Sequence, residues 1–401
     1  MGDALLVTLA GRLSALVRPK DTVARMGGDE FLVLCPDLDE AAAQHVAARL
    51  LAALAEPVQV GVSTITVSAS IGVAISPPSD AETLVGQADA AMYEAKARGR
   101  ARVRMFDTSL ADQARRRLEL SNDLRWALAQ DKLMLYYQPV VDLRSGEVVG
   151  VEALSRWSHP RHGMVPPTEF VTVAEQSGLV TALDHWVIRQ ACQDAAEMRA
   201  TGVLPLHAYV AVNLSARSLG DESLEGVLRA AANECGLPFE ALVLEVTESG
   251  VMDDPDKVRV QLENLRSLGA SVSIDDFGTG YSSLAYLRRF PVSTLKIDRS
   301  FVTNITKDPD DLAVVAAIID LARALSLSTV AEGIETAAEL ALLAGLGCTA
   351  GQGYLWSPAV PPQRLAAVLA QLPQAVTGVV PAARPPDLLP LVEGLTRPPV
   401  L

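Results

Sequence analysis

Two adjacent carboxylates, Asp275 and Asp276, close a short apolar run in "VSIDDFGTGYSSL" (residues 272–284), just ahead of a Gly-Thr-Gly turn. Neighbouring acids repel, so the pair needs a partner. A helix N-terminus is one, because Asp is a favoured N-cap and acids suit that end of a helix. That accounts for one Asp and not for two. A divalent cation is the other, turning the repulsion into coordination.

Similar residues close other short apolar runs. Glu152 ends the run in "VVGVEAL", Asn213 lies in "AYVAVNLS", and Glu245 in "ALVLEVTES" with Glu248 three residues on. "TLKIDRS" carries Lys296 and Asp298, "STVAEGIE" carries Glu332, and Gln352 follows later. Carboxylate and amide oxygens are hard ligands suited to Mg2+ or Mn2+, and the lack of a histidine among them disfavours zinc. Lys296 and Asp298 are two residues apart, so strand geometry sends both to one face. A lysine among carboxylates orients a water and neutralises a phosphoryl oxygen. Two metals about 4 Å apart are the usual machinery for phosphodiester hydrolysis. Each residue alone has an ordinary reading: Glu245 or Glu248 caps a helix, Asn213 holds a turn, Glu332 sits in a solvated loop. Their shared placement at successive strand ends is what those readings leave unexplained. "FGTGYS" alone is a weak sign of phosphate binding; it reads as a mobile loop that governs how Asp275 and Asp276 meet a metal.

The elements that must position these residues follow from the pattern. From about residue 132, short apolar runs alternate with helical stretches such as "DLAVVAAIIDLARAL". Repeated β-α units with polar residues at strand C-termini specify an α/β, TIM-like (β/α)8 barrel with its site at that mouth. The first hundred residues read instead as helix, hairpin, helix, strand, helix. "TVARMGGDEFLVLC" is a hairpin about Gly27-Gly28, "TITVSASIGVAIS" alternates like a strand, and "AETLVGQADAAMYEAKARGRAR" is a helix with a basic end. The expected boundaries are a first domain over 1–107, a polar helical connector over 108–117, a barrel domain over 115–372, and a Pro/Ala-rich, poorly ordered tail over 373–401.

Composition bounds the partners. The 401 residues suffice for two domains, and 49% apolar with 20% charged residues fits a globular protein. A net charge of −14 argues against polymeric nucleic acid, which needs a basic face. A small anionic substrate stays compatible where metals offset the local acids. The four cysteines are far apart and form no CxxC pair, which points to a reduced, cytoplasmic setting without a zinc site of the usual spacing. No apolar run reaches the roughly 18 residues of a membrane span. "MGDALLVTLAGRLSALVRPK" has Asp3 where a signal peptide is basic, and Leu5, Leu6, Leu9, Leu13 and Leu16 recur at helical spacing, so it reads as a core helix.

Taken together, "YYQPVVDL", "VEALSRW", "NLSARSL", "LEVTES", "DDFGTGYSSL", "LKIDRSFV", "AEGIET" and "GQGYLWSPA" resemble, in order over about 115–370, the EAL family of cyclic di-GMP phosphodiesterases. The resemblance implies a modified (β/α)8 barrel that hydrolyses cyclic di-GMP to linear pGpG with two Mg2+ or Mn2+ ions; Ca2+, with its longer and looser coordination, is expected to inhibit. Carried over by motif, Glu152, Asn213, Glu245 and Asp275 correspond to ligands of one metal. Asp275 would bridge to a second, held by Asp276 and Glu332. Lys296 would bind the attacking water and Glu248 would brace the "DDFGTG" loop. Gln138, Arg156, Asp298 and Gln352 would touch substrate. The resemblance also implies a homodimer built through this domain.

The N-terminal part resembles the GGDEF family of diguanylate cyclases through "RMGGDEF", "SIGVA", "ADAAMYEAKARGRARV" and an RxxD product-binding motif at Arg18–Asp21. The degenerate cyclase site would comprise Gly27, Gly28, Asp29 and Glu30; Lys96 and Arg100 match the family's phosphate contacts but read here as a solvated helix end, and Arg18–Asp21 reads equally as an ordinary loop pair. The family's first strand and helix are expected before "GDALL", so Asp29 would lack its metal partner and no cyclase activity is expected. Two alternatives stay open: a non-catalytic cyclic di-GMP receptor, and a bifunctional cyclase–phosphodiesterase with a longer N-terminus.

Overall fold

The computed structural model describes residues 2–372 except 61–62, 66, 76–79, 98, 100, 253–254 and 280–283. The expected disordered tail, Arg100 and part of the "FGTGYS" loop lie outside the described residues. The chain divides into two compact units, one ending at Leu120 and one beginning at Ser121. The division falls inside a single helix, Thr108–Ala129, of which the expected connector 108–117 is the first part.

The first unit packs helices Gly2–Leu16 and Glu40–Ala55 around Leu9, Leu13, Leu50, Leu54 and Val58. The leucine spacing of the N-terminal segment thus supplies a core helix. β1 (Thr22–Gly27) and β2 (Glu30–Leu34) form the hairpin read about Gly27-Gly28. β3 (Val58–Val60) pairs antiparallel with β4 (Ser63–Ile65), while β5 (Ile71–Val73) runs parallel to β6 (Val103–Met105). The single strand expected over "TITVSASIGVAIS" is therefore two, because its halves take different partners. Gly72 adds a reason. A Cβ there would lie 2.0 Å from the Ala88 carbonyl oxygen, so only glycine lets β5 approach the helix Ala81–Ala97 this closely.

The second unit is a closed barrel. Its strands are β7 (Leu133–Asp142), β8 (Val148–His159), β10 (Tyr209–Leu214), β11 (Leu242–Thr247), β12 (Ser271–Phe277), β13 (Thr294–Ile297), β14 (Ser328–Ala331) and β15 (Ala350–Gly351), with β9 (Gly163–Val165) added to the edge of β8. The order runs β10-β11-β12-β13-β14-β15-β7-β8 and back to β10. All contacts around the ring are parallel except those of β7, which is antiparallel to both neighbours. The reason is the short connection after it. A tight turn joins antiparallel strands, whereas parallel ones need a crossover. Asp142 makes that turn, accepting hydrogen bonds from the Arg144 and Ser145 amides. Helices such as Val180–Ala200 and Pro309–Ala324 supply the crossovers elsewhere. Covered on both faces, β10 buries Val210, Ala211 and Val212 in succession, as a parallel barrel strand should. Among the described residues no helix is long and apolar enough to cross a membrane.

Candidate active site

The strand order brings the C-terminal ends of β10 to β14 to one mouth; Glu152, expected at a strand end, lies instead within β8, where its pairing with β10 stops at Ala153, and these acids converge on a lysine. Lys296, on β13, is 2% exposed. Its Nζ donates to Glu245 Oε2 at 2.7 Å and lies 2.6 Å from Glu332 Oε1, 3.2 Å from Asp275 Oδ1 and 3.6 Å from Glu152 Oε2. Glu152, on β8, also accepts from the Asn213 amide at 2.8 Å and the Gln352 amide at 2.6 Å; the latter amide reaches Glu332 at 3.3 Å. Residues drawn from two hundred positions of sequence thus form one connected cluster.

The opening pair is explained by backbone geometry. A flat strand would send consecutive side chains to opposite faces. The register of β12 against β13 shifts between Ile274 and Phe277, and Asp276 adopts φ +53°. Such a bulge re-aims a side chain, and Asp is among the few residue types that tolerate the left-handed region. As a result one carboxylate oxygen each from Asp275, Asp276 and Glu332 lie within 4.8 Å of one another.

The charge balance asks for cations. Burial disfavours the Lys296 charge, but Glu152, Glu245, Glu332 and Asp275 outweigh it and hold the ammonium's pKa well above the ordinary lysine value. Burial pushes Glu332 up to about 8, opposed by Lys296 and reinforced by Asp275 and Glu152. Asp276 is raised by burial and by the neighbouring Asp275 and Asp298. Four carboxylates lie within 3.6 Å of one ammonium and Asp276 adds a fifth nearby, a crowding of negative charge that bound cations would relieve. The donors are all hard oxygens, so the set fits Mg2+ or Mn2+.

The remaining sequence-read residues fall in different places. Glu248 begins the short helix Glu248–Met252, is 2% exposed, and its Oε2 accepts from the Gly278 amide at 2.8 Å, just beyond the acidic pair. Gln138 lines a cleft beside Glu332 and Gln352, its amide tied to the Ser357 carbonyl at 3.0 Å. Arg156 lies with its guanidinium 5.4 Å over the Tyr136 ring and feels the Glu152 charge. Asp298 lies one residue beyond β13, close enough to the acidic pair for its charge to raise Asp276. β13 stops at Ile297, and Asp298 caps the next helix by accepting from Ser300 N at 3.0 Å.

In the first unit, Asp21 accepts from the Arg18 backbone amide at 2.7 Å, which closes a local turn. Gly27, Gly28, Asp29 and Glu30 occupy the exposed β1–β2 turn, and Lys96 is exposed near the end of its helix.

Three residues went unread in the sequence: Arg299, Glu335 and Tyr354, which line the same cleft as Gln138. Arg299 pairs with Glu335 at 2.6 Å and lies 5.8 Å over the Tyr354 ring. Gly333 makes room for it, since a Cβ there would meet Arg299 Cγ at 2.3 Å. Each sits within a quoted motif, but only the fold shows that they face one another. A larger groove bounded by Glu175, Ser215, Arg217 and Lys257 holds none of the acidic cluster, whereas the smaller cleft includes Glu332.

The EAL domain family model matches residues 121–359, and the diguanylate cyclase, GGDEF domain model matches residues 1–102. The chain belongs to the EAL-domain family. Among curated relatives, the bifunctional diguanylate cyclase/cyclic di-GMP phosphodiesterase MucR of Pseudomonas aeruginosa is 44% identical over 92% of this chain and 54% of its own length. The cyclic di-GMP phosphodiesterase PdeR of Escherichia coli is 38% identical over 90% of this chain and 54% of its own length. The chain therefore spans about half the length of the curated relatives it matches. A solved structure, the PaMucR phosphodiesterase in complex with c-di-GMP, is 44% identical with a TM-score of 0.59, covering 62% of this chain and 99% of that one.

Proposed function

We propose that this EAL-domain chain hydrolyses cyclic di-GMP to linear pGpG with two Mg2+ or Mn2+ ions. The observation that carries the reading is the convergence of Glu152, Asn213, Glu245, Asp275, Asp276 and Glu332 around Lys296 at the barrel mouth. Glu152, Asn213, Glu245 and Asp275 would hold one cation; Asp275, Asp276 and Glu332 the other. Bound there, the cations neutralise phosphoryl charge and lower the pKa of water.

The chain's own groups do the rest. Lys296 offers ammonium N–H donors that orient the attacking water among the carboxylates. Glu248, through the Gly278 amide, fixes the segment carrying the acidic pair. Gln138 and Gln352, which line the adjoining cleft, would position substrate together with Arg156 and Asp298. Calcium, with longer and looser coordination than Mg2+, would occupy the site without aligning the nucleophile, so substrate binding survives while hydrolysis stops. The proposed setting is the cytoplasm, with a homodimer formed through the barrel domain and no polymeric nucleic acid as partner.

The rival is a receptor that binds cyclic di-GMP without cleaving it. Every proposed ligand is present and drawn together, which favours the enzyme. Incubation of the purified chain with cyclic di-GMP and Mg2+, read by chromatography, should yield pGpG, and EDTA should stop it. Tight binding without turnover in both Mg2+ and Mn2+ would establish the receptor. Incubation with GTP should yield no cyclic di-GMP; its formation would revive the bifunctional reading.

A further inference from the structure

The helix Val180–Ala200 buries Val180, Leu183, Asp184, Val187, Ile188 and Ala191 along one stripe. An acid on that stripe is out of place. A buried carboxylate is costly unless it is hydrogen-bonded, and Asp184 is 7% exposed. Its Oδ2 accepts from the Ser215 amide at 2.9 Å, the Ser215 hydroxyl at 2.6 Å and the Ser218 hydroxyl at 2.6 Å. The two hydroxyls also lie within hydrogen-bond distance of each other, at 3.0 Å. The Ser215 oxygen in turn accepts from the Ser218 amide at 3.2 Å, capping the helix Ala216–Leu219.

The placement of the anchored amide is informative. Ser215 lies two residues beyond Asn213, whose side chain donates to Glu152. Gly278, anchored by Glu248, lies two residues beyond Asp276. In both cases a buried carboxylate from another element takes the backbone N–H just past a ligand-bearing strand end.

We infer that Asp184 is a positioning residue for the metal site, clamping the end of β10 to the helix Val180–Ala200 so that Asn213 is held toward Glu152. It acts on the Asn213 side as Glu248 acts on the Asp275–Asp276 side. The inference rests on the metal reading above.

The test measures equilibrium Mn2+ binding by the electron paramagnetic resonance of free Mn2+, with melting temperature alongside. Asp184→Ala should weaken binding on the order of tenfold, and Asp184→Asn, which keeps the shape and one acceptor oxygen, should weaken it less. Val187→Ala, buried on the same helix but with no side-chain group that can hydrogen-bond Ser215, should lower the melting temperature and leave Mn2+ affinity unchanged. Should Asp184→Ala fail to fold, Asp184→Asn against Val187→Ala decides. Wild-type affinity in the Asp184 variants, with a melting loss like that of Val187→Ala, would overturn the clamp and leave the metal site standing. A wild-type chain that takes up no Mn2+ would overturn the metal reading and the clamp together.

Discussion

The barrel mouth and the β1–β2 turn both carry acids beside glycines, yet they differ in what surrounds those acids. At the mouth, Glu152, Glu245 and Asp275 are at most 9% exposed and meet a buried lysine contributed by a different strand. At the turn, Asp29 and Glu30 are exposed and sequence-adjacent. The only carboxylate group with metal-ligand spacing among the described residues lies at the mouth. A motif names candidate residues. Convergence of separate elements in a place shielded from water is what shifts their pKa values and makes their repulsion useful.

Substitutions that break this contrast should have graded effects. The largest belongs to Glu152→Ala, which removes a proposed ligand and a Lys296 partner. Hydrolysis should fall by on the order of a thousandfold or more, the equivalent of the several kcal/mol a cation supplies. Turnover near wild type in Mg2+ would take Glu152 out of the site. Next is Glu248→Ala, which frees the Gly278 amide; a shift of about 1 Å can cost on the order of a hundredfold in rate. A variant that loses stability and keeps its kcat would reduce Glu248 to a structural residue.

The third effect is on pH dependence. Glu332 is raised from an ordinary value of 4.5 to about 8. Its contribution to stability is fully present below about 4.5 and is lost as the pH rises through about 8. Glu245 and Asp276 shift in the same direction. In EDTA the melting temperature should therefore fall from pH 6 to pH 9, and saturating Mg2+ should flatten that fall. A melting temperature that rises over this range without metal would contradict the buried cluster. The smallest effect is expected in the other region. Asp29→Asn should leave hydrolysis within about twofold and stability within about 0.5 kcal/mol, the usual range for exposed sites. A large loss of hydrolysis there would show that the turn contributes to the barrel's chemistry.

Much of this architecture was legible in the residue pattern. The strand-end acids could be read because a (β/α)8 topology brings strand C-termini to one mouth whatever their distance in sequence. Asp275 and Asp276 were harder, since alternation alone sends them to opposite faces. Their joint use depends on a bulge and a positive φ that no local motif spells out. The reversal of β7 was written in "DLRSGEV", a connection too short for a crossover. Asp298 took a second task that strand spacing does not show: β13 ends at Ile297 and Asp298 caps the next helix, while its charge still reaches Asp276. Arg299 and Tyr354 could not be paired from sequence, because their contact depends on the space left by Gly333.

The most direct measurement counts the cations. Equilibrium titration of the metal-free chain with Mn2+, followed alongside pGpG formation, should give two tightly bound ions for the wild type, with hydrolysis appearing as the second site fills. Asp276→Ala, which removes one proposed ligand of the second cation and leaves the Glu152–Asn213–Glu245–Asp275 set intact, should retain one ion and lose turnover. A wild type that hydrolyses cyclic di-GMP with a single bound ion, or an Asp276→Ala variant that still binds two and turns over normally, would contradict the two-cation account.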